Sequence, residues 1–206
     1  MNTCTLTAPA LVQFEVETRI PTVHGVMRFR AYSEPALGTE HIAIIAEPAG
    51  KPLGEAPIVR VHSECLTGEA LGSLKCDCGP QLEASMKIIA DNGGVIIYMR
   101  GHEGRGIGLV NKLRAYRLQE DGLDTLDANV ELGLPIDGRD YSAAAAILDD
   151  LGVAQVRLLS NNPEKFAQLS AHGVDVVDRI PLVLAAGEAS DRYLATKRDR
   201  MGHLID

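Results

Sequence analysis

Gly94-Val-Ile-Ile-Tyr-Met99, running into Arg100-Gly-His-Glu-Gly-Arg-Gly-Ile-Gly108 and then Leu109-Val-Asn-Lys-Leu-Arg-Ala-Tyr-Arg-Leu-Gln-Glu-Asp121, is the stretch that decides the fold. The first segment is an apolar run of strand length, and the last has helical periodicity, with Leu113 and Tyr116 as inward candidates and Gly122 as its stop. Between them lie four glycines in eight residues, which let backbone approach a ligand closely. Strand, glycine-rich loop and helix in that order form an α/β unit. Amides at such a loop and at a helix N-terminus attract anions, so the unit is a candidate phosphate site. The loop matches neither the Walker A pattern nor the dinucleotide fingerprint.

Upstream, residues 11–17 and 26–32 alternate apolar and polar, residues 41–46 form a short apolar run, and residues 58–62 follow as another strand. The Pro- and Gly-rich residues 47–57 read as a long hairpin loop between two of these strands. From Pro80 a helical face of Leu82, Met86, Ile89 and Ala90 runs to Asn92-Gly93-Gly94. Downstream, 142–151 is an Ala-rich helix, 155–159 a strand, Asn162-Pro163 the start of another helix, 174–180 a last strand and 191–201 a polar helix. The pattern predicts an α/β fold: a single domain over residues 1–206, with a mixed β-sheet flanked by helices and a strand-rich N-terminal third.

The composition is that of an ordinary globular protein: 46% hydrophobic, 23% charged, 4% aromatic, no Trp. A net charge of −8 opposes binding of a nucleic-acid polymer, and the aromatic content is too low for a stacking platform. Yet Arg100, Arg105, Lys112, Arg114 and Arg117 face only Glu103 over residues 100–119. That local excess suits a small anionic ligand, or else a solvated helix face. The first residues have no basic start and no apolar signal core, and no apolar run is long enough to span a membrane. A cytoplasmic protein with reduced thiols, without membrane partners, is expected.

Three of the four cysteines, Cys65, Cys76 and Cys78, lie close together, whereas Cys4 sits near the start and takes no role. Read as extended, Cys76-Asp-Cys78 points both sulfurs to one face, and Gly68 and Gly72 allow Cys65 to return to them. Such cysteines are either small buried hydrophobes or metal ligands. Three ligands without a fourth suit a catalytic zinc with an open position, while His62 or Glu64 would close the shell and make the site structural.

Four blocks together resemble a known family. They are Arg60-Val-His-Ser-Glu-Cys-Leu-Thr-Gly68, then Cys76-Asp-Cys-Gly79 with Gln81, then Gly101-His-Glu-Gly-Arg-Gly-Ile-Gly-Leu109, and Leu159-Ser-Asn-Asn-Pro163 with Lys165. In this order, over about residues 57–182, they look like GTP cyclohydrolase II, the riboflavin-pathway enzyme. The monofunctional form is expected, because the roughly sixty residues before Arg60 are few for the second enzyme domain sometimes fused to this family.

The resemblance implies hydrolysis of GTP to 2,5-diamino-6-hydroxy-4-(5-phosphoribosylamino)pyrimidine, formate and pyrophosphate. It further implies zinc on Cys65, Cys76 and Cys78 with water in the fourth position, Mg2+ with the GTP phosphates, and a homodimer. Arg60, Val61, His62, Ser63, Glu64, Gln81, Glu103, Gly104, Arg105, Thr125, Ser160 and Lys165 would bind GTP. Tyr116, Asp137 and Arg139 would be the catalytic residues. Ser160 stands where the family commonly has Thr, which keeps the hydroxyl. Gly138 stands where a larger residue is usual, which predicts a more flexible Asp137–Arg139 segment.

Chemically, three thiolates donate charge to zinc and should activate water less well than three histidines, so a neighbouring base, Asp137 or Glu64, would help. Arg139 is either a nucleophile on the α-phosphorus or an electrostatic clamp on it. A member that releases pyrophosphate and opens the ring without releasing formate, or a non-catalytic zinc module, are the competing functions.

Overall fold

Side chains alternate across the central strands and divide the core into two faces. In the computed structural model, which describes residues 10–182 and 184, the strands are β1 (Gln13–Thr22), β2 (Gly25–Glu34), β3 (Thr39–Ala46), β4 (Ile58–Ser63), β5 (Gly94–Met99), β6 (Gln155–Leu159) and β7 (Asp175–Ile180). They form one seven-stranded sheet in the order β1-β2-β3-β5-β4-β6-β7. Pairing is antiparallel from β1 through β5 and parallel across β5, β4, β6 and β7, so the sheet is mixed as expected.

The helices are α1 (Leu66–Glu69), α2 (Cys78–Asn92), α3 (Glu103–Gly106), α4 (Gly108–Glu120), α5 (Thr125–Glu131), α6 (Ser142–Asp150) and α7 (Pro163–Ala171). Ile44 and Ile96 meet Ile89 of α2 on one face. Ala43, Ile45, Val59, Val61, Val95 and Ile97 meet Ile147 and Leu148 of α6 and Leu169 of α7 on the other. None of the described helices is long and apolar enough to cross a membrane.

Several expectations need correction. Residues 47–57 do not close a hairpin: β5 lies between β3 and β4, pairing antiparallel with the first and parallel with the second. β5 is the more apolar partner, and it enters the sheet only after α2. β1 runs on to Thr22 through Pro21, which an edge strand tolerates because its outer amides have no ladder partner. Cys76-Asp-Cys78 is not extended; Cys78 already starts α2, two residues before Pro80, and Asp77 has φ −100 and ψ 13. Leu113 is 51% exposed rather than inward. α5 was not anticipated, although Asp124 and Asp127 are spaced as a helix start, and the Asp124 carboxylate accepts from Leu126 N and Asp127 N. The expected helix at 191–201 and Cys4 lie outside the described residues.

Candidate active site

The site grows from the carboxyl ends of β4 and β5, where an open α/β sheet offers a crevice. β4 ends at Ser63, and Glu64 N donates to Met99 O of β5 at 2.9 Å. The chain then wraps tightly into α1, with Glu69 N donating to Cys65 O at 2.9 Å. Glu69 anchors that turn to the sheet: His62 Nε2 lies 2.9 Å from its Oε1, and Tyr98 OH donates to its Oε2 at 2.5 Å.

α1 abuts the start of α2 so closely that a Cβ on Gly79 would lie 2.4 Å from Gly68 O. This brings Cys65, Cys76 and Cys78 together, with all three sulfurs within 4.8 Å of one another and the first two 3.6 Å apart. A Cβ on Gly68 would sit 2.7 Å from Cys76 Sγ and 3.2 Å from Cys65 Sγ. The glycine leaves room for converging sulfurs and nothing else. Three soft donors in such a cradle fit a zinc ion. Neither His62, held by Glu69, nor Glu64, whose Oε2 accepts from Gly101 N at 2.8 Å, belongs to this ligand group.

Lys112 of α4 is buried against the cysteine turn. Its ammonium donates to Cys65 Sγ at 3.0 Å, Thr67 Oγ1 at 2.7 Å and Glu103 Oε1 at 2.5 Å. Glu103 Oε2 in turn accepts from Leu66 N at 2.6 Å, just past Cys65. Hydrogen bonds from Cys76 and Cys78 hold the Cys65 thiol well below the usual thiol range; burial opposes this, and Lys112 adds to the lowering. Cys76, hydrogen-bonded to Cys65, is pushed up. Burial would lower the Lys112 ammonium, but its bonds to Glu103 and Cys65 outweigh that and raise it.

The glycine-rich loop does not form a smooth helix start: Gly104 and Arg105 both adopt left-handed backbone, φ 61 and 66. For arginine this conformation is strained and marks a position held by its surroundings. What holds it is the Asp137–Arg139 segment. Gly138 N donates to Arg105 O at 3.0 Å, and a Cβ on Gly106 would meet the Gly138 backbone at 3.1 Å. The expected extra flexibility at Gly138 is therefore replaced by a tether. Asp137 Oδ1 accepts from Arg139 Nε at 2.8 Å and Oδ2 accepts from Arg139 Nη2, a bidentate pair. Burial would raise the Asp137 carboxyl, yet the guanidinium bonds and charge hold it below its usual range. Arg139 Nη1 faces Ser63 Oγ at 3.4 Å, and Ser63 Oγ lies 3.2 Å from His102 Nδ1.

The cleft so formed is lined by all three cysteines together with Arg105, Tyr116 and Arg139. Convergent charged and polar groups around one concave surface are the chemistry of a small-molecule site. The family model described as GTP cyclohydrolase II matches residues 13–181. The chain belongs to the GTP cyclohydrolase II family.

Among its relatives, Riboflavin biosynthesis protein RibBA of Mycobacteroides abscessus is 53% identical over 195 residues, 93% of this chain and 47% of that protein. RibBA of Mycobacterium marinum is 54% identical over 190 residues, 91% of this chain and 45% of its own length. The chain thus spans a little under half the length of these curated relatives. A crystal structure of RibBX, a two domain 3,4-dihydroxy-2-butanone 4-phosphate synthase from A. baumannii, aligns with TM-score 0.46 and 20% identity, covering 85% of this chain and 41% of that one.

For this GTP cyclohydrolase II family member, the cleft wall includes Ser63, Glu64, Gly104, Arg105, Thr125, Tyr116 and Arg139 of the expected substrate and catalytic residues, besides the cysteines. Others lie behind that wall. Arg60 is buried, donating to Leu159 O at 3.1 Å and Gln81 Oε1 at 2.6 Å, while Gln81 Nε2 donates to Asp77 Oδ2 at 2.6 Å. Val61 is core; His62 pairs with Glu69; Glu103 faces Lys112. Ser160 Oγ accepts from Asn162 N at 3.1 Å, and Lys165 Nζ donates to Val61 O at 2.6 Å.

Of the basic stretch, only Arg105 and Lys112 reach the cleft wall; Arg114 and Arg117 are exposed and pair locally on α4. Residues that sequence reading missed are His102, Gln119 and Asn129 of the cleft wall, and Lys112 as the partner of Cys65. His102 lay inside the glycine-rich block, but a lone histidine there gave no sign of its depth. Burial, reinforced by the charges of Arg139 and Lys165, pushes its imidazole down to about 3, so it is neutral at pH 7.

Proposed function

We propose that this chain catalyses the GTP cyclohydrolase II reaction, converting GTP to 2,5-diamino-6-hydroxy-4-(5-phosphoribosylamino)pyrimidine, formate and pyrophosphate, in the cytoplasm and as a homodimer. The observation that carries the reading is the shared cleft: a three-cysteine cradle and a carboxylate-held arginine lining one pocket. Cys65, Cys76 and Cys78 would hold zinc, which when bound supplies Lewis acidity for hydrolytic attack at C8 of the purine.

The chain's own groups do the rest. Arg105 and Arg139 offer cationic hydrogen-bond donors to the triphosphate, with Mg2+ neutralising the remaining charge. Asp137, ionised and bidentate on Arg139, aims the guanidinium and keeps it protonated. A guanidinium so paired is a poor nucleophile and a good clamp, so this geometry supports electrostatic stabilisation of the α-phosphate. Glu64, with one carboxylate oxygen on Gly101 N, stands beside Cys65 as the group able to take a proton from attacking water. Tyr116 lines the same cleft as the sulfurs, its ring 4.7 Å from Lys75 Nζ and 5.7 Å from Lys112 Nζ.

The test is to incubate the zinc-loaded protein with GTP and Mg2+ and to quantify formate and pyrophosphate. Equal release of both is expected. Pyrophosphate without formate would indicate the ring-opening variant, and neither product with zinc retained would indicate a structural metal module. Light scattering reads the dimer directly.

A further inference from the structure

Three thiolates carry one more negative charge than a divalent zinc ion neutralises, which weakens the metal as a Lewis acid. The buried ammonium of Lys112 answers that excess. An ammonium has three N–H groups and no acceptor, and all three find partners: Cys65 Sγ, Thr67 Oγ1 and Glu103 Oε1. Glu103 is itself fixed by Leu66 N at 2.6 Å, so the carboxylate cannot swing away and the ammonium stays aimed at the sulfur.

We infer that Lys112, oriented by Glu103, is a positioning and tuning residue for the metal: its charged N–H···S bond draws electron density from Cys65 and restores Lewis acidity that a three-thiolate set would otherwise lose. The inference rests on the proposed zinc reading. Outer partners of metal ligands set ligand orientation and donor strength, and their removal typically costs about 10- to 100-fold in affinity or activity. Here the device is a cation on a sulfur rather than a carboxylate on an imidazole. It also gives Lys112, one of the basic residues of α4, a task other than binding phosphate.

The experiment uses the full chain loaded with Co2+, whose sulfur-to-metal charge-transfer band reports thiolate donor strength without turnover. Lys112→Met should shift that band to longer wavelength, since an unbonded thiolate is easier to ionise, and the zinc-loaded variant should release formate about 10- to 100-fold more slowly. Glu103→Gln keeps the ammonium but loses one of the two acceptor oxygens that aim it, so its band should move the same way by a smaller amount. That second variant decides the matter if Lys112→Met fails to fold, as judged by circular dichroism. Bands superimposable on wild type in the folded variants would overturn the inference even if formate release were lost, because Lys112 would then act on substrate or fold. Absence of any thiolate band in the wild-type cobalt protein would instead bring down the zinc reading, and this inference with it.

Discussion

Gly68→Ala isolates the metal cradle from the stability of the fold. Gly68 lies in α1 and is not among the glycines with left-handed backbone, so alanine is compatible there and favours helix by about 0.5–1 kcal/mol. The added methyl, however, would stand 2.7 Å from Cys76 Sγ and 3.2 Å from Cys65 Sγ. An unstrained contact needs about 3.5–4.0 Å, so Cys76 Sγ must retreat by about 1 Å. Without metal that retreat is a cheap side-chain rotation. With zinc it is not, because ligand distances hold to within about 0.2 Å.

The expected result is therefore split. The metal-free variant melts at or slightly above the wild-type temperature, while zinc binding, measured by chelator competition, weakens sharply and formate release falls about 100-fold, the usual effect of a misplacement of this size. A Gly68→Ala protein that binds one zinc with wild-type affinity and turns over normally would refute the reasoning. So would one that is simply unfolded.

Gly79→Ala makes the contrasting case, since its methyl would meet the Gly68 carbonyl at 2.4 Å and backbone cannot rotate aside; we expect a loss of about 1–3 kcal/mol and a thermal midpoint lower by several degrees, and an unchanged midpoint would contradict it. Arg139→Lys keeps a cation but loses the two-bond grip of Asp137, so pyrophosphate release should fall about 10-fold or more while zinc content stays at wild type; loss of zinc in this variant would mean the two walls are not separable. His102 predicts a pH effect. Its folded-state value of about 3 lies below the unfolded 6.5, owing to burial first and then to Arg139, Lys165 and His41, with Asp137 opposing. The unfolded chain therefore binds the proton that the folded chain refuses, and stability falls as pH drops from 6.5 toward 3. Between pH 6.5 and 5 the wild type should lose about 2 kcal/mol that His102→Gln keeps, as read by urea unfolding at each pH; equal slopes would exclude His102 as the source.

The parts legible in sequence were those fixed by local periodicity and by ligand spacing. β5, the glycine-rich loop and α4 followed from apolar pattern and glycine content, and Cys65, Cys76 and Cys78 do converge. Strand order was not legible, because the placement of β5 between β3 and β4 is a choice among apolar partners far apart in the chain. Nor were the buried pairs. Lys112 reads as a contact to an anionic ligand or a solvated helix face, and Glu103 as a substrate contact, until packing puts them 2.5 Å apart beside a cysteine. Asp137 and Arg139, as Asp-x-Arg, carried no sign that their loop leans on the backbone of Arg105.

That lean joins parts otherwise distant in the chain. Through the Arg105 carbonyl and the Gly138 amide, and the bare contact of Gly106 with Gly138, the loop after β5 is tied to the loop before α6. A length change in either would displace the other, so insertions or deletions in these two loops should be tolerated only as a matched pair.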